Sequence, residues 1–273
     1  MTNKALLAGI NAYMQSPLRG CINDVLDVEN YLLGKNFQCT KLLDSSATKP
    51  NILNGLNTLI NGSHAGDVLV WYFSGHGSYI LDNNGDETDD QYDECLISYD
   101  YFTNGNFIRD DDLAEIFTRI PEGVLVECIH DSCFSGDSTK LFNDLNSNTR
   151  FVDIDTNSID LKSSASKYIP IQLSRPKKKV VKIGRIGHKV SNITMNHILS
   201  SACGETQTSS EVRVNGQYRG IFTYLLTRRL RLSPTMSRSG VISNVRANLA
   251  ALGLSQIPML ECIDSEKLEP YFS

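Results

Sequence analysis

Short apolar runs alternate with amphipathic segments along most of the chain. The runs are rich in β-branched and aromatic residues, as buried parallel strands are, and they cover residues 4–10, 41–43, 68–73, 124–129, 193–199 and 259–263. Between them, apolar positions recur at helical spacing near residues 23–33, 48–60, 113–117, 222–232 and 243–252. This alternation predicts an α/β fold in which a central, mostly parallel β-sheet carries helices on both faces.

The periodicity fades between residues 137 and 191, where Ser, Asn, Asp and Lys dominate. We expect a long loop or a weakly ordered insertion there. It would join a larger part, residues 1–136, to a smaller part, residues 192–273, within a single domain. A chain of 273 residues that is 41% hydrophobic can bury the core that such a domain needs.

Composition narrows the classes of partner and location. The net charge of -5 argues against nucleic acid as the main partner. The first apolar run stops at Asn11, which makes it too short for a signal-peptide core or a membrane span. Seven cysteines, an odd number without CxxC pairs, fit a reducing compartment. We therefore expect a cytoplasmic protein that binds neither nucleic acid nor membranes.

Two glycine-containing motifs each follow an apolar run. Residues 74–77 read Ser-Gly-His-Gly, and residues 131–136 read Asp-Ser-Cys-Phe-Ser-Gly. Because ligands bind outside the carboxyl ends of parallel strands, we expect His76 and Cys133 to face one cleft. A neighbouring imidazole favours the nucleophilic thiolate and can protonate a leaving amine. The motifs predict a His76/Cys133 dyad, with the backbone N–H groups of Gly77 and Cys133 as oxyanion donors.

Two other interpretations of these motifs compete with the dyad. A lone cysteine after a strand is more often a core residue than a nucleophile. His130, three residues before Cys133, is a second candidate base. Strand alternation places His130 and Ser132 on one side and Asp131 and Cys133 on the other, which favours His76 as the base.

The motif pair resembles the signature of the metacaspases, caspase-like cysteine peptidases of clan CD. Further segments that resemble the family pattern lie at residues 18–24, 92–94, 108–111, 202–209, 220–223 and 256–258. The resemblance implies a caspase-like fold and a monomeric cysteine endopeptidase, made as a zymogen, that acts through a thioacyl-enzyme intermediate. The chain departs from the pattern at Phe134, where the family usually has histidine.

The resemblance implies cleavage of protein or peptide substrates after Arg or Lys. It assigns the specificity pocket to four residues, Cys21, Asp24, Ser74 and Asp131. Two carboxylates suit a guanidinium or ammonium group, although Asp24 alone could equally be an acidic group near a helix N-terminus. The acidic residue after the Gln-Thr-Ser segment is Glu211, displaced by one position, so its role in the pocket stays open.

The resemblance also implies activation by Ca²⁺. The family aspartates that carry the metal match Asp93, Asp110 and Asp111, within an acidic stretch whose carboxylate oxygens suit a hard cation. A further family aspartate falls on Lys140 here. Whether calcium is required therefore stays open.

The basic stretch that joins the two parts offers sites to an enzyme with an acidic pocket. The candidate cleavage positions are Lys177, Lys178, Lys179, Arg185 and Lys189. We expect the purified chain to cut itself between about residues 140 and 190. The alternative is a basic loop that tolerates proteolysis, or a run like a nuclear-localisation signal.

Three classes of function are compatible with these motifs. The first is an Arg/Lys-specific cysteine endopeptidase, the second a catalytically silent caspase-like scaffold, and the third a calcium-responsive interaction module. The presence of both His76 and Cys133 favours the enzyme, because loss of either residue would be the simplest route to a silent scaffold.

Overall fold

A computed structural model describes residues 2–81, 92–104, 106–132, 152–153, 196–203 and 209–273 of the chain. Within these ranges the strands are β1 (Asn3–Gly9), β2 (Gln38–Leu43), β3 (Val68–Ser74), β4 (Gly77–Leu81), β5 (Tyr92–Ile97), β6 (Phe107–Arg109), β7 (Leu125–Asp131), β8 (Val152–Asp153), β9 (Ile198–Ser201), β10 (Glu211–Val214), β11 (Gln217–Gly220) and β12 (Met259–Glu261). The helices are α1 (Cys21–Leu33), α2 (Lys49–Asn61), α3 (Tyr101–Asn104), α4 (Asp110–Phe117), α5 (Ile221–Leu232), α6 (Arg238–Ala251) and α7 (Asp264–Lys267).

The central sheet has six strands in the order β12-β9-β7-β3-β1-β2. Every neighbouring pair is parallel except β12 with β9, which is antiparallel. The prediction of a mostly parallel sheet is confirmed. Parallel strands that run side by side bring their carboxyl ends to one edge of the sheet, where α/β folds place their binding sites.

Alternation along β3 separates two hydrophobic cores. Val70 and Tyr72 pack into a core with α1, α5 and α6, whereas Leu69, Trp71 and Phe73 pack into a second core with α2 and α4. Successive side chains of a strand point to opposite faces of the sheet, so helices cover both faces, as predicted. Each fully buried large apolar side chain contributes about 1.5–3 kcal/mol to folding.

The local signals at helix starts are borne out in α2. Thr48 precedes the helix in extended conformation, and its side chain accepts a hydrogen bond from the backbone N–H of Asn51. Pro50 occupies the first turn, where its missing N–H costs nothing. The cap explains why the apolar periodicity from Ile52 onward begins where it does.

Two small three-stranded sheets were not among the predicted elements. One has the order β4-β5-β6 and the other β11-β10-β8. The β10–β11 hairpin turns through Asn215 and Gly216, both with positive φ (51° and 80°). An Asn-Gly pair is the strongest short-range hairpin signal, so the sequence did contain the information needed to predict this element.

Several predicted boundaries differ from the structure. β2 begins at Gln38 rather than at residue 41, and β12 ends at Glu261 rather than at residue 263. In the strand predicted over 193–199, residues 193–195 lie outside the described ranges and β9 begins at Ile198, after residues 196 and 197. The helix predicted over 243–252 begins at Arg238. The Ser237 side chain caps that helix by accepting a hydrogen bond from the N–H of Gly240 at 3.2 Å. Hydropathy missed the first turn because its inward residue is the buried, charged Arg238.

The C-terminal segment is anchored beneath the central sheet. The Arg238 guanidinium lies 2.7 Å from the Glu127 carboxylate of β7, and both side chains are almost fully buried. The same carboxylate oxygen accepts a hydrogen bond from the backbone N–H of Phe272 at 2.6 Å.

Among the described helices, none is long and apolar enough to cross a bilayer.

Candidate active site

The carboxyl ends of β1, β3 and β7 meet at one edge of the central sheet. Ser74 at the end of β3 pairs with Asp131 at the end of β7 and with Gly9 at the end of β1. Just beyond the strands, the N–H of Gly75 donates to the Asp131 carbonyl at 3.3 Å. The first residues of the two motifs singled out in the sequence are therefore adjacent in space.

His76 lies between β3 and β4 with its ring half-buried. Its Nε2 is 2.7 Å from the backbone carbonyl oxygen of Ser16. Because a carbonyl only accepts, Nε2 must carry the proton, which leaves the Nδ1 lone pair of the neutral ring available as a base. Burial lowers the pKa of His76, and the bond to Ser16 offsets that effect only in part. The imidazole is thus neutral at pH 7.

The Ser16 carbonyl is presented by an unusual backbone conformation. Ser16 has φ 54°, in the left-handed region that non-glycine residues seldom occupy. Such a conformation costs of order 1–3 kcal/mol and persists only where the surroundings impose it. It aims the carbonyl oxygen at His76.

Several predicted residues lie outside the described part of the chain. Cys133 is one of them, because the described residues after β7 end at Ser132. Gly77, in contrast, is described: it is the first residue of β4, where it pairs with Leu96. The other predicted positions beyond the described ranges are Lys140, Lys177, Lys178, Lys179, Arg185 and Lys189.

Asp24 sits in the first turn of α1 and is only 1% exposed. One oxygen accepts a hydrogen bond from the Ser74 hydroxyl at 2.9 Å, and the other from the N–H of Gly220 at 2.8 Å. The carboxylate therefore bonds to β3 and β11 rather than to its own helix N-terminus. Burial, followed by the nearby charge of Asp131, raises the pKa of Asp24 well above its usual range.

Asp131 is the second buried carboxylate of this edge, 5% exposed. Thr223 donates to one of its oxygens from both the backbone N–H (3.1 Å) and the hydroxyl (2.6 Å). Ser209 donates to the other oxygen at 2.8 Å. Burial raises the pKa of Asp131, while these hydrogen bonds lower it in part.

Gly220 lies between the two carboxylates. A Cβ built there would collide with the Asp131 carboxylate and come within 3.0 Å of Asp24 Oδ2. Only a residue without a side chain leaves room for both groups. The glycine of the segment at 220–223 thus lets the chain pack closely against both carboxylates.

Cys21 and Glu211 lie close to Asp24 and Asp131, and these four side chains form one cluster. Burial, then the charges of Asp24 and Glu211, raise the pKa of the Cys21 thiol, which also has a hydrogen bond with Ser74. Glu211 accepts from the N–H groups of Arg19 (3.0 Å) and Gly20 (2.5 Å). Burial, and to a smaller extent the charge of Asp131, raise the pKa of Glu211.

Sequence reasoning left the role of Glu211 open because it is displaced by one residue from its family position. In the structure it heads β10 with 7% exposure and lies in the same electrostatic neighbourhood as Asp24 and Asp131. A short strand can absorb a one-residue displacement, so motif spacing alone could not decide the point. The β10–β11 hairpin signal, combined with the acidic side chain, would have been the better guide.

Asp24, Asp131 and Glu211 form a buried acidic cluster whose hydrogen-bond donors are neutral. Hydroxyl groups and backbone N–H groups supply the hydrogen bonds to Asp24, Asp131 and Glu211 described above. Such donors satisfy carboxylate oxygens without neutralising their charge. Three buried carboxylates with raised pKa values make a site that a cation would stabilise.

The residues predicted for calcium belong to β5 and α4. Asp110 and Asp111 occupy the first turn of α4, and the side chain of Asp93 lies outside the described part of the structure. β5 and β6 are antiparallel, and Cys95 pairs with Arg109, the residue just before α4. The backbone of β5 at Asp93 therefore runs beside the start of α4. Within the described ranges, no three His, Cys, Asp or Glu side chains form a group able to hold a metal ion.

Comparisons with known proteins agree on one family. The family model described as "Metacaspase, peptidase C14 domain" matches residues 3–142, about half of the chain. Metacaspase-1B of Aspergillus terreus is 32% identical over 289 residues, which cover 95% of this chain and 74% of that protein. Metacaspase-1 of Scheffersomyces stipitis is 29% identical over 305 residues, which cover 98% of this chain and 72% of that protein.

A solved structure agrees in fold. The crystal structure of caspase-1 from Spodoptera frugiperda superimposes with a TM-score of 0.58 at 13% identity, over 95% of this chain and 85% of that one. At this identity the likeness concerns the fold alone, and it confirms the caspase-like α/β architecture. With the family match over half of its length, the chain belongs to the metacaspases, cysteine peptidases of family C14.

Proposed function

We propose that this metacaspase is an endopeptidase that cleaves after arginine or lysine with a His76/Cys133 dyad. The observation that carries the proposal is the group of three buried carboxylates, Asp24, Asp131 and Glu211, beside the strand ends that lead to both dyad residues. A guanidinium or ammonium group would compensate the charge that their hydroxyl and backbone donors leave in place.

The chemistry needs one proton to move twice. His76 Nδ1 takes the Cys133 thiol proton, and the thiolate attacks the carbonyl carbon of the scissile bond. The resulting oxyanion accepts hydrogen bonds from the N–H groups of Gly77 and Cys133, an effect worth about 3 kcal/mol per donor. Imidazolium then protonates the leaving amine, and a thioacyl-enzyme forms.

Water completes the cycle. His76 takes a proton from water as the hydroxide equivalent attacks the thioacyl carbon, and the proton returns to the departing Cys133 sulfur. The product acid and the free dyad result. Because Nε2 stays hydrogen-bonded to the Ser16 carbonyl, Nδ1 is the nitrogen that takes and returns the proton in both half-reactions.

Short fluorogenic peptides that end in Arg, Lys or Asp test the proposal directly. We expect hydrolysis after Arg and Lys, and a loss of at least about 1,000-fold in Cys133→Ala. Hydrolysis after Asp alone would overturn the assigned pocket. A folded protein that hydrolyses none of the peptides would instead support the silent scaffold.

Calcium activation is a separate proposal, in which Asp93, Asp110 and Asp111 would hold the ion. Bound Ca²⁺ would supply positive charge to carboxylates that otherwise repel one another. Chelation should then lower both peptidase activity and the melting temperature, and Asp111→Asn should weaken the response. If chelation leaves both quantities unchanged, calcium has no role in this chain.

Self-processing is also proposed, at Lys177, Lys178, Lys179, Arg185 or Lys189. Mass spectrometry of the purified chain should find two fragments with a new C-terminus after Lys or Arg between about residues 140 and 190. The Cys133→Ala chain, incubated in parallel, should stay intact. Fragmentation of that variant without added protease would exclude self-cleavage.

A further inference from the structure

Tyr13 is a buried residue next to His76 that has no role in the chemistry described so far. It lies in the loop between β1 and α1, and only 3% of its surface is exposed. A phenol hydroxyl buried in an apolar core needs hydrogen-bond partners. The partners of the Tyr13 hydroxyl are backbone groups of His76 itself and of Ile97 at the end of β5.

The hydroxyl of Tyr13 ties His76 to the neighbouring hairpin. It accepts a hydrogen bond from the His76 backbone N–H at 3.1 Å and donates one to the Ile97 carbonyl at 2.8 Å. The N–H of Ile97 in turn donates to the His76 carbonyl at 3.0 Å. His76 and Ile97 are thus joined both directly and through the phenol.

The ring of Tyr13 packs against the imidazole itself. The two ring centroids are 4.6 Å apart with an interplanar angle of 46°. Three residues further along the same loop, the Ser16 carbonyl contacts Nε2. One loop therefore contacts the backbone, the ring and the distal nitrogen of His76.

Gly75 has a packing reason that involves the same hydroxyl. A Cβ at position 75 would lie 2.5 Å from the Tyr13 oxygen and 2.8 Å from Phe73 Cζ. The residue before His76 must therefore lack a side chain so that the phenol can reach the His76 N–H. Burial raises the pKa of Tyr13 well above its usual range, so the hydroxyl keeps its proton and can donate to Ile97.

We propose that Tyr13 is a positioning residue of the peptidase, which holds the His76 imidazole in the Nε2–H tautomer with Nδ1 directed at the nucleophile. The inference rests on the proposed function, because it assigns Tyr13 a task within that reaction. Misplacement of a catalytic group by about 1 Å can cost 100-fold in rate. Because the hydroxyl is buried and already bonded to His76 and Ile97, substrate binding should depend on it little.

Tyr13→Phe removes the hydroxyl and keeps the ring. We expect kcat for an Arg peptide to fall about 10- to 100-fold while KM changes less than about threefold. A loosened imidazole is better hydrated, so the acidic limb of the kcat/KM profile should also move upward toward pH 6.5. These two changes distinguish positioning from a general loss of stability.

Tyr271→Phe is the matched control. Tyr271 is likewise buried, and its hydroxyl hydrogen-bonds to the Ser200 hydroxyl at 2.7 Å in the other half of the chain. Its loss should lower the melting temperature about as much as the Tyr13 change but leave kcat and the pH profile as they are. If Tyr13→Phe behaves like this control, the proposal is overturned.

A second measurement does not need activity. In ¹⁵N-histidine spectra of the Cys133→Ala chain at pH 7.5, His76 should give the shifts of one Nε2–H tautomer, and adding Tyr13→Phe should give a tautomer mixture. Unchanged shifts would contradict the proposal. A wild-type chain that hydrolyses no peptide would overturn the proposed function, while these spectra would still decide whether Tyr13 holds the ring.

Discussion

Three buried carboxyl groups make the stability of the chain depend on pH, and in the proposed function they also set its specificity. Asp24, Asp131 and Glu211 each have a raised pKa in the folded chain because burial disfavours their charged forms. The folded state therefore holds these protons more tightly than the unfolded chain, and stability falls as pH rises through the window above their usual pKa values. Charges kept buried at this cost are typical of binding sites.

Asp24→Asn should separate the two effects. The amide can still accept from the Gly220 N–H, while one negative charge disappears from the cluster. We expect a higher melting temperature than wild type at pH 7, a difference that shrinks toward pH 4, and at least a 100-fold loss of kcat/KM on Arg peptides. Thermal scans across this range check the sign, and a lower melting temperature at pH 7 would contradict it.

With His76 as the proposed base, we expect its protonation to set the acidic limit of activity. Its pKa is lowered by burial, so the imidazole remains an unprotonated base below the ordinary value of 6.5. The acidic limb of kcat/KM for an Arg peptide should accordingly lie below pH 6.5. A limb at or above that value would mean that the ring is more hydrated than its burial implies.

At the scale of elements, strand β7 serves both faces of the sheet. Asp131 bonds to Thr223 on one side, whereas His130 on the other packs edge-on against Trp71 with ring centroids 6.1 Å apart. Both ring nitrogens of His130 are buried without a hydrogen-bond partner among the described residues. This placement agrees with the alternation that favoured His76 over His130 as the base.

Replacement of His130 should stabilise the chain without loss of activity. Burial lowers the pKa of His130 to about 3, so the folded state resists protonation that the unfolded chain accepts below pH 6.5. His130→Leu should gain about 1 kcal/mol at pH 7 and about 2 kcal/mol more at pH 5.

Denaturant titrations at both pH values measure the effect of His130→Leu. The exposed loop residue His64 provides a control, since His64→Leu should bring no comparable gain. The kcat/KM of His130→Leu should stay within about threefold of wild type. A loss of 1,000-fold would instead identify His130 as the base.

How far each element could be predicted depended on what stabilises it. Strands β3 and β7 and the dyad motifs after them follow from apolar runs and glycines, because the buried face dictates those residues. The first turn of α6 could not be found this way, since Arg238 is buried through an ion pair with Glu127, a partner over 100 residues away in sequence. The place of Glu211 in the cluster could not be predicted for a similar reason, because its acidic neighbours Asp24 and Asp131 come from α1 and β7.

At the scale of the whole molecule, one ion pair connects the C-terminal segment to β7, the strand that precedes Cys133 in sequence. Arg238 in α6 contacts Glu127 in β7, and the Phe272 N–H bonds to the same carboxylate. Arg238 also donates to the Glu266 carbonyl at 3.0 Å. Removal of one partner of such a pair leaves a buried charge without compensation.

Arg238→Met should therefore lower the free energy of unfolding by about 3–5 kcal/mol. The surface pair of Lys267 with Asp264 offers the contrast, because its side chains are 39% and 96% exposed. Lys267→Ala should cost less than about 1 kcal/mol. Equal losses in urea titrations of the two variants would contradict the importance of the buried pair.

Arginine and citrulline have nearly the same shape, but only arginine carries a charge. Hydrolysis of two peptides that differ only in this residue before the scissile bond therefore reports on the carboxylates alone. We predict that the wild-type kcat/KM for the Arg peptide exceeds that for the citrulline peptide at least about 100-fold, and that Asp131→Asn reduces this ratio strongly. Equal hydrolysis of the two peptides by the wild-type enzyme would contradict a pocket for basic side chains.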